Sequence, residues 1–492
     1  MARHLIGIDI GTTGTKSMLV REDGQIIAHA YAGYPLNAPA PGLSEQDAEA
    51  WWQAVVQTVK EVVSSTGLSD RVVALSLSTQ GGTLVPVDDD GTPLHPAIVW
   101  NDKRCATQRA EFAATFGEER MYHTTGWQLQ MGLNALQIAW LRNEKPEIFN
   151  RAAFFLSVAD YISYKLTGVR AVDMSNAGIN QLADIKKGEY DPDILAFAGI
   201  DASRLAELTA SGQPIAQLSQ QAAKALGLPD GVLLVAGAHD QYAACLGAGM
   251  TGPGNAMIGS GTAWVVTALS DQPDFSKGFA QSRAALKGVW GSLVSLSTGG
   301  VCLDWLLKAV IGPEARTSKP DYDSLNQNVS QRKPGTEGLM FFPYFGAASY
   351  PVPQARWRAG FLGLDLSHDR YDMARAVMEG VACHIAWVLE HFQTDDQAVV
   401  LSGGAGKSAP WRQLLADILG RPLRIPAQPD LPCIGAAIMA GLGGGVFPSA
   451  QEAIARLTPN ELIVKPDQEN SQIYKAHQAQ FRERALALAE LY

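Results

Sequence analysis

Residues 5–20 of the chain read LIGIDIGTTGTKSMLV. The stretch predicts an apolar strand, a turn of glycine and threonine at residues 11–15, and a second strand. Asp9 places a carboxylate at the end of the first strand. We expect Gly11 and Gly14 to adopt positive φ and to leave no side chain between the backbone amides and a ligand. Amides that curl around a small cavity in this way bind anions such as phosphate.

The same turn carries three hydroxyl groups and a positive charge. The hydroxyls belong to Thr12, Thr13 and Thr15, and the charge belongs to Lys16. Asp9 could hold Mg²⁺, which binds through few carboxylates and keeps several waters. The stretch is not a Walker A loop, because it lacks the Gly-Lys-Ser/Thr ending and runs into a strand. An ordinary hairpin with a surface lysine is the alternative.

The bulk composition is that of a globular protein. The 492 residues, 47% of them hydrophobic, predict two or three domains. A net charge of −10 argues against a nucleic-acid partner, whose phosphates would be repelled. The sequence has no apolar run long enough for a membrane span and no signal-peptide pattern. The 5 cysteines contain no CxxC pair, so we expect reduced thiols and a cytoplasmic enzyme.

Strands and helices alternate in the first half, which predicts an α/β fold. Polar residues follow two of the strands, at the carboxyl ends where open α/β sheets bind ligands. After strand 72–78, Thr79 and Gln80 begin a loop, where Gln80 could read a substrate hydroxyl or be a solvated turn residue. After a strand at 97–100, Asp102 and Arg104 could grip a polyhydroxylated ligand or pair with each other. The other elements predicted here are a strand at 25–32, a helix beginning at 44–47, and helices at 134–144 and 159–167.

Residues 232–236 are continuously apolar, which is typical of a strand buried on both faces. We expect the chain to turn at Gly237 and to place Asp240 and Gln241 near the start of a helix of small residues. A carboxylate at such a strand end suits a general base. The alternative is that Asp240 only caps the helix.

Residues 256–266, AMIGSGTAWVV, repeat the design of the opening hairpin. The repeat predicts two related halves, joined in the glycine- and proline-rich stretch 246–254, and therefore domains at 1–246 and 247–492. A third glycine-rich turn follows a short strand at 399–402, where a flat base or ribose could lie against the backbone. The residues of the two later turns are Gly259, Ser260, Gly261 and Thr262, and then Gly403, Gly404, Ala405 and Lys407.

The rest of the second half is predicted as helices around one irregular segment. Residues 312–336 are polar, with three prolines, and predict an irregular surface segment. The helices are expected at 299–310, 369–392, 411–419 and 468–491.

The three turns resemble the nucleotide-contacting elements of the actin-like ATPase fold. Residues 359–380, AGFLGLDLSHDRYDMARAVMEG, resemble the C-terminal signature of the FGGY carbohydrate kinases. The resemblance covers about residues 4–447. It implies an α/β fold of two ribonuclease-H-like, actin-type ATPase domains with a cleft between them. Within the family the chain looks most like the xylulokinases, on the stretches WNDKRC (100–105), SEQD (44–47), DMSNA (173–177) and CLDW (302–305).

The resemblance also implies an activity and a role for each candidate residue. The chain is expected to transfer the γ-phosphate of ATP, with Mg²⁺, to a primary hydroxyl of a small sugar, most simply a ketopentose such as xylulose or ribulose. Members of this family commonly form homodimers. Asp240 would be the general base and, with Asp9, would hold Mg²⁺. The phosphates of ATP would be bound by the first hairpin (Gly11, Thr12, Thr13, Thr15, Lys16) and by the second (Gly259 to Thr262). The rest of ATP would be bound by Gly403, Gly404, Ala405 and Lys407. The sugar would be bound by Thr79, Gln80, Asp102, Arg104 and Gln241.

Four departures from the xylulokinase pattern fall on the sugar side. The Met-His pair of those enzymes aligns with Thr79-Gln80, and their Gly-Glu-Arg-x-Pro segment is replaced by residues 347–351, AASYP. Gln241 follows Asp240, as in glycerol kinases. The family's first signature also expects other residues at Asn134 and Gln137. A polyol kinase, or a non-catalytic sugar- or ATP-binding regulator of the same fold, therefore stays open as an alternative.

Overall fold

The structure is a computed structural model that describes residues 2–296, 298–311, 321–346, 350–353, 357–395, 398–428, 430–458 and 460–490. The chain forms two compact units. The first contains residues 1–252, 270–292 and 428–459, and the second contains residues 253–269, 293–427 and 460–492. The domain limits 1–246 and 247–492 stay a prediction.

A mixed six-stranded sheet forms the centre of the first unit. The opening strand pairs antiparallel with the second strand of the hairpin and parallel with the strand that follows the first long helix. These pairings place Asp9 opposite both Lys16 and Ser78. The strands lie in the order Pro214–Gln217, Leu233–His239, Val72–Thr79, His4–Ile10, Gly14–Arg21 and Ile26–Gly33.

Helices and small strand pairs surround this sheet. The helices are Ala48–Ser64, Ala106–Phe116, Glu118–Thr125, Asn134–Glu144, Pro146–Arg151, Val158–Thr167, Met174–Ile179, Pro192–Ala198, Gln220–Leu226, Asp240–Gly247, Leu431–Gly443 and Ala450–Leu457, with 3-10 turns at Ser69–Arg71, Ala202–Arg204 and Phe275–Lys277. The further strands are Glu45–Gln46 with Ala97–Ile98, Val85–Val87 with Phe154–Leu156, Ala171–Asp173 with Glu207–Thr209, Ala183–Asp184 with Glu189–Tyr190, and Ala280–Arg283.

Packing against the sheet fixes the position of the opening hairpin. The helix Ala48–Ser64 buries a stripe that includes Trp51 and Val55. Helix Leu431–Gly443 lies so close to the opening strand that a Cβ at Gly7 would come 1.9 Å from the carbonyl oxygen of Cys433. Any side chain at position 7 would therefore push this helix away from the strand that carries Asp9.

The second unit repeats the hairpin arrangement of the first. Strands Ala256–Ser260 and Trp264–Ser270 pair antiparallel, and Val399–Gly403 joins the first of them in parallel. The sheet of this unit runs in the order Trp290–Leu296, Trp264–Ser270, Ala256–Ser260, Val399–Gly403, Leu423–Pro426 and Glu461–Val464. The remaining elements are the strand pair Met340–Phe342 and Gly360–Leu362, the α-helices Gly300–Leu306, Tyr322–Ser330, Arg370–Leu389, Gly404–Lys407, Ala409–Leu419 and Gln468–Ala489, a π-helical turn at Leu307–Ile311, and a 3-10 turn at Thr336–Gly338.

Two local predictions were wrong. The chain does not turn at Gly237; strand Leu233–His239 continues through it, because this glycine lets the strand approach the carbonyl oxygen of Leu77. Part of the segment predicted as irregular is the helix Tyr322–Ser330, whose N-cap is Asp321. Residues 312–320 of that segment lie outside the described residues, as do 347–349 of the AASYP stretch.

The first long helix begins later than its sequence signal suggested. Its N-cap is Asp47, whose side chain accepts a hydrogen bond from the amide of Glu49. The preceding Glu45–Gln46 forms a short strand instead. All five cysteines are buried and have free thiols. Within the part of the chain that the structure describes, no helix is both long enough and apolar enough to span a membrane.

Candidate active site

The turn of the first hairpin is held by side chains that bind its carbonyl oxygens. The Tyr34 hydroxyl donates to the carbonyl oxygen of Gly11 at 2.6 Å, and Gln46 Nε2 donates to that of Thr12 at 2.6 Å. The Tyr31 hydroxyl donates to the carbonyl oxygen of Thr13 at 3.2 Å. The amides of Thr12 and Thr13 make no hydrogen bond with any described residue. A turn with bound carbonyls and free amides is suited to an anion.

The glycines of this turn have a different role from the predicted one. Neither Gly11 nor Gly14 has positive φ, so that expectation was wrong. The Gly11 amide closes the turn on the carbonyl oxygen of Gly14 at 3.0 Å with ordinary dihedral angles. A Cβ at position 14 would come 2.5 Å from the ring of Tyr31, so a side chain there would displace that exposed ring.

Two of the predicted phosphate ligands are engaged elsewhere in the first unit. The side chain of Thr15 is buried, and its hydroxyl lies 3.4 Å from that of Tyr34. Lys16 Nζ pairs with Asp430 Oδ1 at 2.6 Å. Asp430 is more than 400 residues away in sequence, and no local signal could have predicted this partner.

The second hairpin has the same pattern of bound carbonyls and free amides. The amide of Gly300 donates to the carbonyl oxygen of Gly261 at 3.3 Å, and that of Val301 donates to the carbonyl oxygen of Thr262 at 3.1 Å. The amides of Gly261 and Thr262 themselves make no hydrogen bond with any described residue. The same arrangement of bound carbonyls and free amides therefore occurs once in each unit.

The third turn lies directly against the second hairpin. Ser260 Oγ donates to the carbonyl oxygen of Ser402 at 2.5 Å and accepts from the amide of Ala405 at 3.0 Å. Gly403 has φ of 90°, and a Cβ there would come 2.5 Å from the carbonyl oxygen of Ser260. Only glycine meets both conditions, since a positive φ and this close approach each exclude a side chain.

A cavity of about 500 Å³ opens beside these two turns, entirely within the second unit. Its lining includes the hairpin turn, Gly404, Ala405 and Lys407, together with the indole rings of Trp264 and Trp411, whose centroids are 5.3 Å apart. Asn326 also lines it, and its Oδ1 accepts from Ser408 Oγ at 2.7 Å. A cavity with apolar ring walls and a few polar groups fits a nucleoside. The sequence analysis missed both tryptophans and Asn326, because they resemble ordinary core and surface residues.

Thr79 and Gln80 are buried and bind protein groups. Thr79 Oγ1 donates to Asn176 Oδ1 at 3.3 Å. Gln80 accepts from Thr12 Oγ1 at 3.0 Å and donates to Gln46 Oε1 at 3.2 Å. Because Gln46 in turn holds the carbonyl oxygen of Thr12, Gln80 supports the first phosphate turn.

Asp102 and Arg104 form the structural ion pair that the sequence left open. The Asp102 carboxylate accepts four hydrogen bonds, from the amides of Ser44 and Arg104 and from two nitrogens of the Arg104 guanidinium. The same guanidinium pairs with Glu45 at 2.8 Å and lies over the ring of Trp140. Both side chains of the pair are buried, at 6% and 1% exposure.

Asp9 and Asp240 lie at the carboxyl ends of the two strands that flank strand Val72–Thr79 in the first unit. Asp9 is buried and accepts from Ser78 Oγ at 2.8 Å. Burial, and then the negative charge of Asp240, raise the pKa of Asp9 to about 7. The pairing of strands Leu233–His239, Val72–Thr79 and His4–Ile10 brings these two carboxylates together.

Asp240 is the first residue of helix Asp240–Gly247, next to Gln241, and it is not the helix cap. The N-cap is His239, a residue that the sequence analysis overlooked. The Oδ1 atom of Asp240 is enclosed and accepts no hydrogen bond from any described residue, whereas the whole side chain is 31% exposed. Asp240 is therefore a carboxylate that the fold has left uncommitted.

Two family models match the chain over most of its length. The N-terminal domain of the FGGY family of carbohydrate kinases matches residues 4–247, and the C-terminal domain of the same family matches residues 256–443. The chain belongs to the FGGY family of carbohydrate kinases. It is therefore a sugar kinase, a phosphotransferase with an alcohol group as acceptor, and FGGY kinases use ATP as their phosphate donor.

Individual FGGY relatives resemble the chain from end to end. The xylulose kinase of Escherichia coli (strain K12) is 31% identical over 97% of both chains. The gluconokinase of Bacillus subtilis (strain 168) is 28% identical over 89% of this chain and 87% of its own. The crystal structure of xylulose kinase from Rhodospirillum rubrum superimposes with a TM-score of 0.91, at 28% identity and over 99% of both chains. The xylulokinase-like pattern and the two-domain α/β fold predicted from the sequence are confirmed.

Proposed function

We propose that this FGGY kinase phosphorylates a primary hydroxyl of a neutral ketopentose such as xylulose or ribulose, with Asp240 as the general base. The observation that carries the proposal is the Asp240 carboxylate, which is 31% exposed and accepts no hydrogen bond from any described residue. A general base must have a free oxygen within reach of the proton that it removes. Asp102 has no such oxygen, because its hydrogen bonds are all internal.

The proposed step needs positioning and one proton transfer. Asp240 accepts the proton of the acceptor hydroxyl as the hydroxyl oxygen attacks the γ-phosphorus, and ADP leaves with the electron pair of the broken P–O bond. Phosphoryl transfer depends mainly on alignment and on neutralising the charge of the phosphates. The free amides of the hairpin turn in each unit would bind phosphate oxygens, and the tryptophan-lined cavity would hold the nucleoside.

Asp9 and Asp240 form a donor set that fits Mg²⁺. Carboxylate oxygens suit this ion, which binds through one or two of them and through substrate phosphates and keeps waters. Burial, and then the negative charge of Asp240, raise the pKa of Asp9, and a divalent cation would offset both effects. When bound there, Mg²⁺ would neutralise phosphate charge. Asp9 would hold it through water.

The ion pairs of Arg104 and Lys16 favour a neutral acceptor over a sugar acid. Arg104 is held by Asp102 and Glu45, and Lys16 is held by Asp430. Each of these cations already has a carboxylate partner, so neither is a ready ligand for the carboxylate of an aldonate. This argument separates the ketopentose proposal from the substrate named for the gluconokinase relative, although polyols remain the neutral rivals.

The test is a coupled assay of ADP release with D-xylulose, D-ribulose, erythritol, glycerol and D-gluconate as acceptors. Wild type should respond most to a ketopentose. Asp240→Asn should lose at least about 100-fold in turnover, since general-base catalysis contributes roughly 10²–10⁴-fold. It should still bind ATP, as measured by calorimetry. Near-native turnover of Asp240→Asn would remove the base assignment, and a response to gluconate alone would remove the neutral acceptor.

A further inference from the structure

His239 precedes the proposed base and has no role in the mechanism described so far. It ends strand Leu233–His239 and is the N-cap of the helix that begins at Asp240. Its amide donates to Ser175 Oγ at 2.8 Å, so its backbone is tied to a second helix, Met174–Ile179. This contact fixes the point from which its imidazole projects.

The imidazole is enclosed by rings and by a glycine. The side chain is 8% exposed. Trp127 meets it edge-on with centroids 6.2 Å apart, and Tyr242 lies on another side at 5.8 Å. A Cβ at Gly81 would come 2.9 Å from His239 Cδ2, so the loop after strand Val72–Thr79 leaves room for this ring only because position 81 is glycine.

The two nitrogens of the imidazole ring have different surroundings. Nε2 lies 3.4 Å from Asp240 Oδ1. Nδ1 is buried and has no hydrogen-bond partner among the described residues. Burying an imidazole without hydrogen bonds is unfavourable. The polar atom beside Nε2 is Asp240 Oδ1, which at 3.4 Å is not yet hydrogen-bonded, and such contacts tighten when a substrate completes the site.

We propose that His239 is a positioning residue for the general base. When substrate completes the site, the Nε2–H of His239 closes the 3.4 Å gap, donates to Asp240 Oδ1 and fixes the rotation of the carboxylate. Because Oδ1 is enclosed while the side chain is 31% exposed, the exposed area lies on the part that includes Oδ2. Oδ2 is then the oxygen that takes the proton of the acceptor. This inference rests on the proposed role of Asp240.

Two amide substitutions separate the two nitrogens of the ring. The amide nitrogen of His239→Gln reaches the position of Nε2, and that of His239→Asn reaches the position of Nδ1. We expect His239→Asn to lower kcat by about 10- to 100-fold, the loss that follows from misplacing a catalytic group. The KM for the acceptor and the Kd for ATP should change by less than about threefold, because uniform binding is untouched. His239→Gln should recover most of kcat.

A double-mutant cycle tests whether the effect passes through Asp240. In the Asp240→Asn background, His239→Asn should cause no further loss of turnover. Trp127→Phe keeps a ring against the imidazole and serves as the packing control, with kcat within about twofold of wild type. Circular dichroism and thermal unfolding of each variant report whether it is folded.

Three outcomes would overturn the positioning role. They are near-native kcat in both His239 variants, better rescue by Asn than by Gln, or an equal loss in the Asp240→Asn background. Each leaves the kinase proposal intact provided that Asp240→Asn alone is inactive. Full turnover of Asp240→Asn would instead remove the base assignment itself, so the two failures can be told apart.

Discussion

Asp9→Asn should stabilise the ligand-free protein while destroying its response to magnesium nucleotide. The Asp9 carboxyl is buried near Asp240, and its pKa is raised from 3.8 to about 7. The folded pKa lies above the unfolded one, so ionisation of Asp9 opposes folding as the pH rises from about 4 to 7, and the cost is complete above pH 7. The full cost is about 4 kcal/mol, since each pKa unit corresponds to about 1.4 kcal/mol. Asparagine keeps the acceptor for Ser78 Oγ but cannot ionise.

The assay is urea unfolding followed by tryptophan fluorescence, between pH 5 and pH 8. The advantage of Asp9→Asn in free energy of unfolding should grow by about 2–3 kcal/mol over this range, because between pH 5 and about pH 7 the unfolded carboxyl is ionised while the native one still holds its proton. Asp70→Asn changes an exposed carboxylate and should show no such trend. MgADP should stabilise wild type more than Asp9→Asn. A pH-independent difference between Asp9→Asn and wild type would refute the argument.

Two further substitutions test how the phosphate turns are held. Gln80→Ala removes the contacts that Gln80 makes with the first turn, so the KM for ATP should rise together with the KM for the acceptor in steady-state kinetics. The sequence alone predicted a change in the KM for the acceptor only. A change in that constant alone would count against the structural role of Gln80. Gly403→Ala should weaken ATP binding at least tenfold in calorimetry and lower the melting temperature, because a Cβ there meets the carbonyl oxygen of Ser260. Gly420 also has positive φ, but a Cβ there would meet nothing within 4 Å. Gly420→Ala should therefore keep the affinity for ATP and lose only about 1 kcal/mol of stability from the backbone conformation. Equal effects of the two glycine substitutions would refute the steric argument.

The parts of the fold that the sequence predicted are those set by local pattern. The opening strand and its partner have the bounds His4–Ile10 and Gly14–Arg21, close to those read from alternating apolar runs. Helix Asn134–Glu144 has the bounds that were predicted. Gly237 misled the prediction because glycine marks both turns and close backbone approaches, and only the neighbouring strand decides which applies.

The partners of the site residues could not be predicted, because they come from distant parts of the chain. The sequence predicts Lys16 as a phosphate ligand, and in the structure its ammonium group pairs with Asp430. Gln80 looked like a substrate reader, but it binds Thr12 and Gln46. In both cases the sequence identified the right neighbourhood, and tertiary packing decided whether the polar group faces a ligand or the protein.

Three aspartates illustrate how environment separates roles that residue type leaves equal. Asp9, Asp102 and Asp240 each lie at or just after the carboxyl end of a strand, and the sequence treated each as a candidate ligand or base. Asp102 accepts four hydrogen bonds and pairs with a buried guanidinium, so its charge is already balanced by the protein. Asp9 is buried with one side-chain donor and a like charge nearby, an imbalance that a cation would correct. The Asp240 carboxylate is 31% exposed and accepts no hydrogen bond from any described residue, and it lies next to a histidine that can aim it. Proton transfer requires an oxygen that folding has not already used, and this requirement favours Asp240 as the proposed base.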